Sequence, residues 1–150
     1  MKNEQDELNL ANQLCFAIYD SNRLFTKFYQ KALKSFELTY PQYIVLLSLW
    51  EQDRQSLKDL SEQLHLKSNT LTPLLKRLEE HGWIERNRPS VDKRQLEIVL
   101  TAKAKNQEEA IHTAISECIG HQLEPDIKGY QEALATVLKI NSGLEQVLND

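Results

Sequence analysis

The sequence predicts a mainly helical fold with a small β-wing, a winged helix-turn-helix flanked by long helices at both ends. Three observations predict it: leucines at helical spacing in two adjacent segments, two β-like runs directly after them, and apolar stripes toward both ends. The 150 residues are 41% hydrophobic with four glycines and four prolines, so the chain can bury a helical core. We expect a single domain over residues 1–150, with the winged helix at about 41–101 and dimerisation helices at about 8–35 and 102–148.

The central segment has the leucine pattern of two short helices joined by a tight turn. The first helix and the turn carry Leu57, Leu60, Leu64 and Leu66. The inner face of the second helix carries Leu71, Leu74, Leu75 and Leu78. Gly82 ends this helix. Two β-like runs follow, Trp83–Arg88 and Gln95–Leu100, and a basic, proline-containing tip joins them into a hairpin.

The terminal segments read as longer helices than a small domain needs. Apolar spacing predicts helices near residues 8–33, from 102 to about 123, and from 127 onward. Pro41 suits the first turn of a further helix, and Thr101 can cap the helix that follows it. A long helix with one apolar stripe requires a packing partner, so we expect a homodimer in which both ends of the chain interlock.

The charge distribution points to double-stranded DNA as the ligand. The net charge is −4, but residues 67–94 hold seven basic and four acidic side chains, which makes that segment +3 and the rest −7. DNA responds to the potential within a Debye length, about 8 Å in physiological salt. Two reading heads of a dimer would then meet the two half-sites of a near-palindromic operator.

The second helix would serve as the recognition helix. We expect Ser68 to cap it and to leave free N–H groups near a phosphate, with Asn69 and Thr70 reaching base edges. Thr72 also points outward, and Lys76 and Arg77 are expected to hold phosphates. The wing supplies further cations for a narrow minor groove: Arg86, Arg88, Lys93 and Arg94. Either Arg94 or Arg88 is the groove-inserting residue, and Asp92 could bond Arg94 and fix the tip.

Other classes of protein are disfavoured. No N-terminal apolar run is long enough for a signal peptide or a membrane span, so a cytoplasmic location without membrane contact is expected. The two cysteines suggest reduced thiols. There is no glycine-rich phosphate loop, no His-Glu-x-x-His motif and no paired carboxylate site, and none of the four histidines lies near Cys15 in sequence. We therefore expect no enzyme activity, no cofactor and no metal.

Three motifs carry a family resemblance: Asn12–Tyr19 (NQLCFAIY), Leu38–Tyr43 (LTYPQY) and Leu71–Leu78 (LTPLLKRL). With them the chain resembles the MarR family and, within it, the branch of organic-hydroperoxide-sensing repressors. Members of that branch are dimeric winged-helix repressors whose N-terminal cysteine is oxidised by organic peroxides, which releases DNA. The resemblance implies that Cys15 is the sensor and that Tyr29 and Tyr40 are tyrosines that hydrogen-bond it.

Physical chemistry supports a tyrosine-assisted thiol. A thiolate attacks peroxide, and hydroxyl donors raise its population. Tyr19 lies four residues after Cys15, on the same helix face, whereas Tyr29 is 14 residues on, about 21 Å along a straight helix. If Tyr29 serves the thiol, it must therefore come from the partner subunit, with the two first helices antiparallel. An apolar pocket around the thiol would favour hydrophobic hydroperoxides over hydrogen peroxide, and its expected lining is Leu14, Phe16, Ile18, Tyr43 and Trp50.

Oxidation would first give a sulfenic acid, which condenses with a second thiol. Cys118 is the resolving candidate, in an intersubunit Cys15–Cys118 disulfide, and a small cellular thiol is the alternative. Three other readings stay open: a regulator that binds phenolic compounds without covalent chemistry, a zinc sensor, and a dimeric adaptor that contacts no DNA. A zinc site would use Cys118, His112 and His121, completed by Glu108 or Glu117.

Overall fold

The computed structural model describes residues 9–10, 13–88, 95–119 and 127–149. Within it the chain divides into two compact units, one up to Cys118 and the other from Ile119 onward, and each is described by itself. None of the helices in the described part of the chain is long and apolar enough to cross a membrane.

The predicted winged helix-turn-helix with long flanking helices is confirmed. The helices are α1 (Leu14–Ala32), α2 (Tyr40–Glu51), α3 (Leu57–Leu64), α4 (Ser68–Glu80), α5 (Ala102–Ile119) and α6 (Ile127–Asn149), with a short 3-10 turn at Lys34–Phe36. The strands are β1 (Gln55–Ser56), β2 (Ile84–Asn87) and β3 (Glu97–Leu100), which form an antiparallel sheet in the order β1-β3-β2.

Local capping chemistry fixes where α2 and α3 begin. Thr39 and Gln42 form a reciprocal capping box at α2, and Pro41 lies in its first turn as the sequence predicts. Ser56 and Asp59 form the equivalent box at α3. Each capping box accepts hydrogen bonds from backbone N–H groups that would lack a partner at an uncapped helix start. The two helices therefore start where the sequence dictates, independently of what packs on them.

The predicted leucine face of α4 is buried in the described structure. Leu71, Leu75 and Leu78 are essentially inaccessible to solvent and pack in a core with Leu60 of α3 and Ile98 of β3, while Leu74 is only half-buried. Truncating one of the buried leucines to alanine is expected to cost roughly 2–5 kcal/mol of stability, because it removes apolar contacts and leaves a cavity. This core holds the exposed face of α4 at a fixed orientation.

Strand β1 is a feature that the sequence analysis missed. It has two residues, too few to show an alternating pattern, and it pairs with the later strand β3. The buried Gln55 side chain anchors it, since its Nε2 donates to the Ser48 and Gln52 carbonyl oxygens at 3.0 and 2.7 Å. Strand β1 is therefore stabilised by its pairing with β3 and by the hydrogen bonds of Gln55, and its own sequence does not encode it.

Two element boundaries differ from the prediction, and the predicted end of α5 lies outside the described residues. Lys67, not Ser68, is the N-cap residue of α4, because the Lys67 carbonyl oxygen already accepts from the Thr70 and Leu71 amides at 2.9 Å. Ser68 is the first helical residue, and the predicted Ser68 cap is wrong. Helix α1 begins at Leu14, while residues 1–8 and 11–12 lie outside the described residues. The described part of α5 ends at Ile119, and residues 120–126 also lie outside.

Asp53 joins the turn after α2 to the wing and to α5. Its Oδ1 accepts from the Leu100 and Arg54 amides, both at 2.9 Å, and its Oδ2 lies 3.0 Å from the Lys105 ammonium. Partial burial raises the pKa of Asp53, but the hydrogen bond from Leu100 and those from Lys105 and Arg54 outweigh it, so the pKa lies below its usual value.

This lowered pKa makes a prediction for stability against pH. A carboxylate with a depressed folded-state pKa stabilises the fold above its unfolded pKa, near 3.9, and loses that contribution as the pH falls through the folded value. Asp53→Asn is therefore expected to unfold at lower denaturant than the wild type at pH 7, and the difference should shrink below about pH 4. Urea titrations at several pH values measure this. A difference that stays constant down to pH 2 would contradict the assignment.

Candidate nucleic-acid interface and thiol site

The outward face of α4 is polar and open. The side chains predicted to face a ligand are all exposed: Ser68, Asn69, Thr70, Thr72, Lys76 and Arg77. The Lys76 ammonium lies 3.9 Å from Glu80 on the same helix, a loose, solvent-exposed pair that a phosphate could replace. This face combines base-edge donors and acceptors near the start of α4 with cations about two turns later.

In the wing, the structure gives Arg86 a specific partner. Arg86 Nε and Nη2 donate to Oε2 of Glu79 at 2.9 and 2.6 Å, and the Arg86 amide donates to the other carboxylate oxygen at 3.1 Å. These bonds from Arg86 hold the pKa of Glu79 below its usual value. The half-buried Arg86 thus ties β2 to α4, which favours a positioning role over contact with a ligand. Spacing could not reveal this pair, because it depends on how the hairpin folds back.

The other predicted wing cations are only partly described. Arg88 follows β2 and is exposed. Lys93 and Arg94, together with the predicted bond between Asp92 and Arg94, lie outside the described residues. The choice between Arg88 and Arg94 as the groove-inserting residue stays a prediction.

The junction between α4 and β2 is held by the start of α5. Gly82 ends α4 as predicted and has a φ of +76°, a left-handed conformation that favours glycine. Thr101 caps α5 as predicted, since its hydroxyl accepts from the Ala104 amide at 3.3 Å. The same hydroxyl donates to the Gly82 carbonyl oxygen at 2.7 Å, a second function that the sequence analysis did not anticipate.

Cys15 lies in the first turn of α1 and is an exposed free thiol. Leu14, Phe16 and Ile18 beside it are exposed as well, and Tyr19 is 65% exposed, with its ring stacked on Phe16 at 6.3 Å between centroids. Within one chain these residues do not enclose the thiol. The predicted apolar pocket is therefore not formed by a single chain, because one helix has no second wall.

Two of the tyrosines predicted to support the thiol, Tyr29 and Tyr40, lie at the other end of α1 within one chain. The rings of Tyr29, near the end of α1, and Tyr40, at the start of α2, lie 4.3 Å apart between centroids with a tilt of 33°. Tyr43 stacks on Tyr29 at 5.7 Å. Burial raises the pKa of Tyr43, and the nearby Tyr40 adds to this. Because α1 is one continuous helix, Tyr29 lies about 21 Å along its axis from Cys15 of the same chain.

Two residues predicted to line the thiol pocket, Tyr43 and Trp50, join this aromatic cluster within one chain. Tyr43 is buried against Tyr29, and Trp50 lies 6.3 Å from Tyr43 between ring centroids. The Trp50 indole donates to the Ala104 carbonyl oxygen at 3.2 Å and packs against the His112 ring at 5.4 Å. Within one chain Tyr43 and Trp50 lie away from Cys15, because α2 packs its aromatic side chains toward α5 and the far end of α1. Their place in the lining of a Cys15 pocket stays a prediction.

The second thiol and the zinc alternative concern α5. Cys118 is half-buried and free. Glu108, His112 and Glu117 also lie on α5, whereas His121 lies outside the described residues. Across the described ranges there is no group of three His, Cys, Asp or Glu side chains placed to hold a metal ion.

Two helices expose apolar faces in the isolated chain. On α1 the exposed side chains include Leu14, Ile18, Leu24 and Phe25, and on α6 they include Leu134, Leu138, Leu144, Val147 and Leu148. Several large apolar side chains exposed on one helix are typical of an interaction surface. The two faces match the terminal stripes from which the sequence predicted a dimer.

Comparison with known proteins gives the family. Residues 27–111, more than half of the chain, match the family described as "Transcriptional regulator SarA/Rot". The organic hydroperoxide resistance transcriptional regulator of Bacillus subtilis (strain 168) is 41% identical over 141 residues, which cover 93% of this chain and 96% of that protein. The predicted resemblance is thereby confirmed.

Two solved structures are similar over nearly the whole length. Reduced AbfR bound to DNA is 49% identical with a TM-score of 0.75, and the match covers 91% of this chain and 96% of that one. AbfR with a disulfide formed is 46% identical with a TM-score of 0.69, covering 98% and 97% of the two chains.

Proposed function

Because this chain belongs to the SarA/Rot family of transcriptional regulators, with a MarR-type winged-helix fold, we propose that it is a DNA-binding repressor that senses organic hydroperoxides through Cys15. One observation carries the sensing part of the proposal. An exposed free thiol lies at one end of α1, and the contacting Tyr29–Tyr40 pair lies about 21 Å away at the other end. The arrangement supplies both halves of a thiol site in each chain and joins them only when two chains pair.

DNA binding is assigned to α4 and the wing. Asn69, Thr70 and Thr72 would read base edges in the major groove, while Ser68, Lys76 and Arg77 would contact phosphates. Arg88, Lys93 and Arg94 would serve the minor groove, and Arg86 positions the wing through Glu79. The exposure of the α4 face and the DNA-bound state of AbfR support this assignment.

Dimerisation completes the thiol site. Two copies related by a two-fold axis would cover the apolar faces of α1 and α6 and would present two α4 helices to two half-sites. With the α1 helices antiparallel, Cys15 of one chain meets Tyr29 and Tyr40 of the other, whose hydroxyls stabilise the thiolate. The apolar wall that one chain lacks around Cys15 then comes from the second copy, and it favours hydrophobic peroxides.

The redox step is a two-electron oxidation of sulfur. The Cys15 thiolate attacks one oxygen of ROOH, the O–O bond breaks, and RO⁻ takes up a proton and leaves as ROH. The Cys118 thiolate of the partner attacks the sulfur of the resulting sulfenic acid, the S–O bond breaks, and the leaving hydroxide takes up a proton to become water. The hydroperoxide resistance role in the name of the Bacillus subtilis relative and the disulfide state of AbfR support this sequence.

Release of DNA follows from the geometry of a disulfide. A Cys15–Cys118 bond needs the two Cα atoms within about 5.5–6 Å. Cys118 lies on α5, and α5 begins at the junction of the DNA-reading elements. Movement of α5 toward the partner thiol would change the spacing of the two α4 helices.

Non-reducing gels test the resolving cysteine. Reduced protein bound to a duplex from upstream of its own coding region is treated with cumene hydroperoxide. Wild type is expected to give a crosslinked dimer band, and Cys118→Ser is expected to lose it because the sulfenic acid has no second thiol. A Cys118→Ser protein that keeps the band would remove Cys118 from the mechanism.

The same duplex also tests DNA binding itself. Failure of the wild-type protein to bind it would favour a dimeric adaptor that contacts no DNA.

One observation favours a second candidate effector, a phenolic compound bound without covalent chemistry. A cleft of about 450 Å³ lies between α1, α2 and α4, and its lining includes Thr26, Tyr40, Pro73 and Arg77. A phenolic acid could stack on Tyr40 and place its carboxylate on Arg77. Release of DNA from Cys15→Ser protein by 4-hydroxybenzoate would support this non-covalent alternative, and unchanged binding at millimolar ligand would exclude that probe.

A further inference from the structure

Three consecutive backbone carbonyl groups at the α4–β2 junction accept hydrogen bonds from the start of α5. The Lys103 ammonium donates to the His81 oxygen at 2.8 Å, and the Thr101 hydroxyl donates to the Gly82 oxygen at 2.7 Å. The Thr101 amide donates to the Trp83 oxygen at 3.2 Å. The short connection between the recognition helix and the wing is therefore held at every residue by one neighbouring turn.

Lys103 contacts this junction in two ways. Its ammonium lies 4.4 Å from the centroid of the buried Trp83 ring, within the range of a cation–π interaction. It also sits at the C-terminal end of α4, where the helix dipole favours a cation. With its ammonium directed at the His81 carbonyl and the Trp83 ring, Lys103 is already engaged within the protein. An arginine could reproduce these interactions, whereas a methionine would keep only the apolar stem.

The next residues of α5 extend the attachment to the other side of the wing. Lys105 pairs with Asp53, which also accepts from the Leu100 amide at the end of β3. One turn of α5 thus holds the end of α4, the start of β2 and the end of β3. These elements are expected to move with α5 as a single body.

We propose that the first turn of α5 is the joint that sets the angle between the recognition helix and the wing, with Lys103 as a positioning residue. This inference rests on the DNA-binding function proposed above. Displacement of α5 then reaches α4 and the wing together, through the His81–Trp83 carbonyl groups, and requires no contact between Lys103 and DNA.

Two measurements on the full-length reduced protein test the joint. The first uses no DNA: hydrogen exchange of the His81, Gly82 and Trp83 amides, all of which are hydrogen-bonded. Lys103→Met is expected to speed their exchange roughly tenfold, and Lys103→Arg to leave it within about twofold of wild type. The second measures binding to the upstream duplex at several salt concentrations, with Lys27→Met, on the exposed surface of α1, as the control for loss of one charge.

The expected binding result is specific to positioning. Lys103→Met should weaken binding by about tenfold without changing the slope of log affinity against log salt, whereas losing a phosphate contact lowers that slope by about one. Lys103→Arg should restore binding, and Lys27→Met should behave like wild type. A reduced slope, or exchange rates that Lys103→Met leaves unchanged, would overturn the inference. If Lys103→Met changes the exchange rates as expected but the wild-type protein binds no duplex, the structural role of the first turn of α5 is supported and the proposed DNA-binding function is contradicted.

Discussion

Cys15→Ser is expected to stay on DNA at concentrations of organic hydroperoxide that release the wild-type protein. Serine has no sulfur atom and can form neither a thiolate nor a sulfenic acid, so the first step of the response is lost. Coupling between two sites commonly changes affinity by roughly 5–150-fold, and the variant should lose that whole change. Fluorescence anisotropy of a labelled upstream duplex, with and without cumene hydroperoxide, measures it.

The matched control is Cys118→Ser, which keeps the reactive thiol and removes only the proposed resolving one. Both variants should bind DNA like wild type when reduced, because neither sulfur lies on the α4 face or in the described part of the wing. Hydrogen peroxide at equal concentration should release wild type more weakly than the organic peroxide. If Cys15→Ser still leaves DNA on oxidation, the sensing site must lie elsewhere.

The second large effect concerns the apolar face of α6. Replacing both Leu134 and Leu138, 47% and 57% exposed in the single chain, by glutamate places two charges one helical turn apart on this face. If a second copy covers the face, burial of unpaired carboxylates is prohibitive and the protein should become monomeric. DNA affinity should then fall by two or more orders of magnitude, since one head contacts only one half-site. Light scattering and anisotropy measure the two effects.

A control with the same added charge uses exposed polar positions of α6. Thr136→Glu with Gln146→Glu introduces two carboxylates outside the stripe that holds Leu134 and Leu138. This variant should remain dimeric and bind DNA with at most a severalfold loss from charge repulsion. A wild-type protein that is monomeric at micromolar concentration, or a Leu134→Glu and Leu138→Glu variant that stays dimeric, would contradict the dimer proposal.

The sequence was most informative where structure depends on near neighbours. The buried leucines of α4, the first turn of α2 at Pro41 and the glycine stop at Gly82 all follow from period, capping and backbone freedom over a few residues. The prediction that Ser68 caps α4 was wrong for a related reason. Lys67 and Ser68 can each start a helix, and only the backbone bonds of the folded turn distinguish them.

The candidate DNA face was therefore determined by the sequence alone, because one helix of fixed period carries both its buried leucines and its exposed polar side chains. Tertiary structure decided the features that join distant segments: β1 beside β3, Arg86 on Glu79, and Lys103 on the His81 carbonyl group. It also separated Tyr43 and Trp50 from the Cys15 end of α1. Those contacts depend on how helices pack, and no local spacing of residues encodes which side chains packing will bring together.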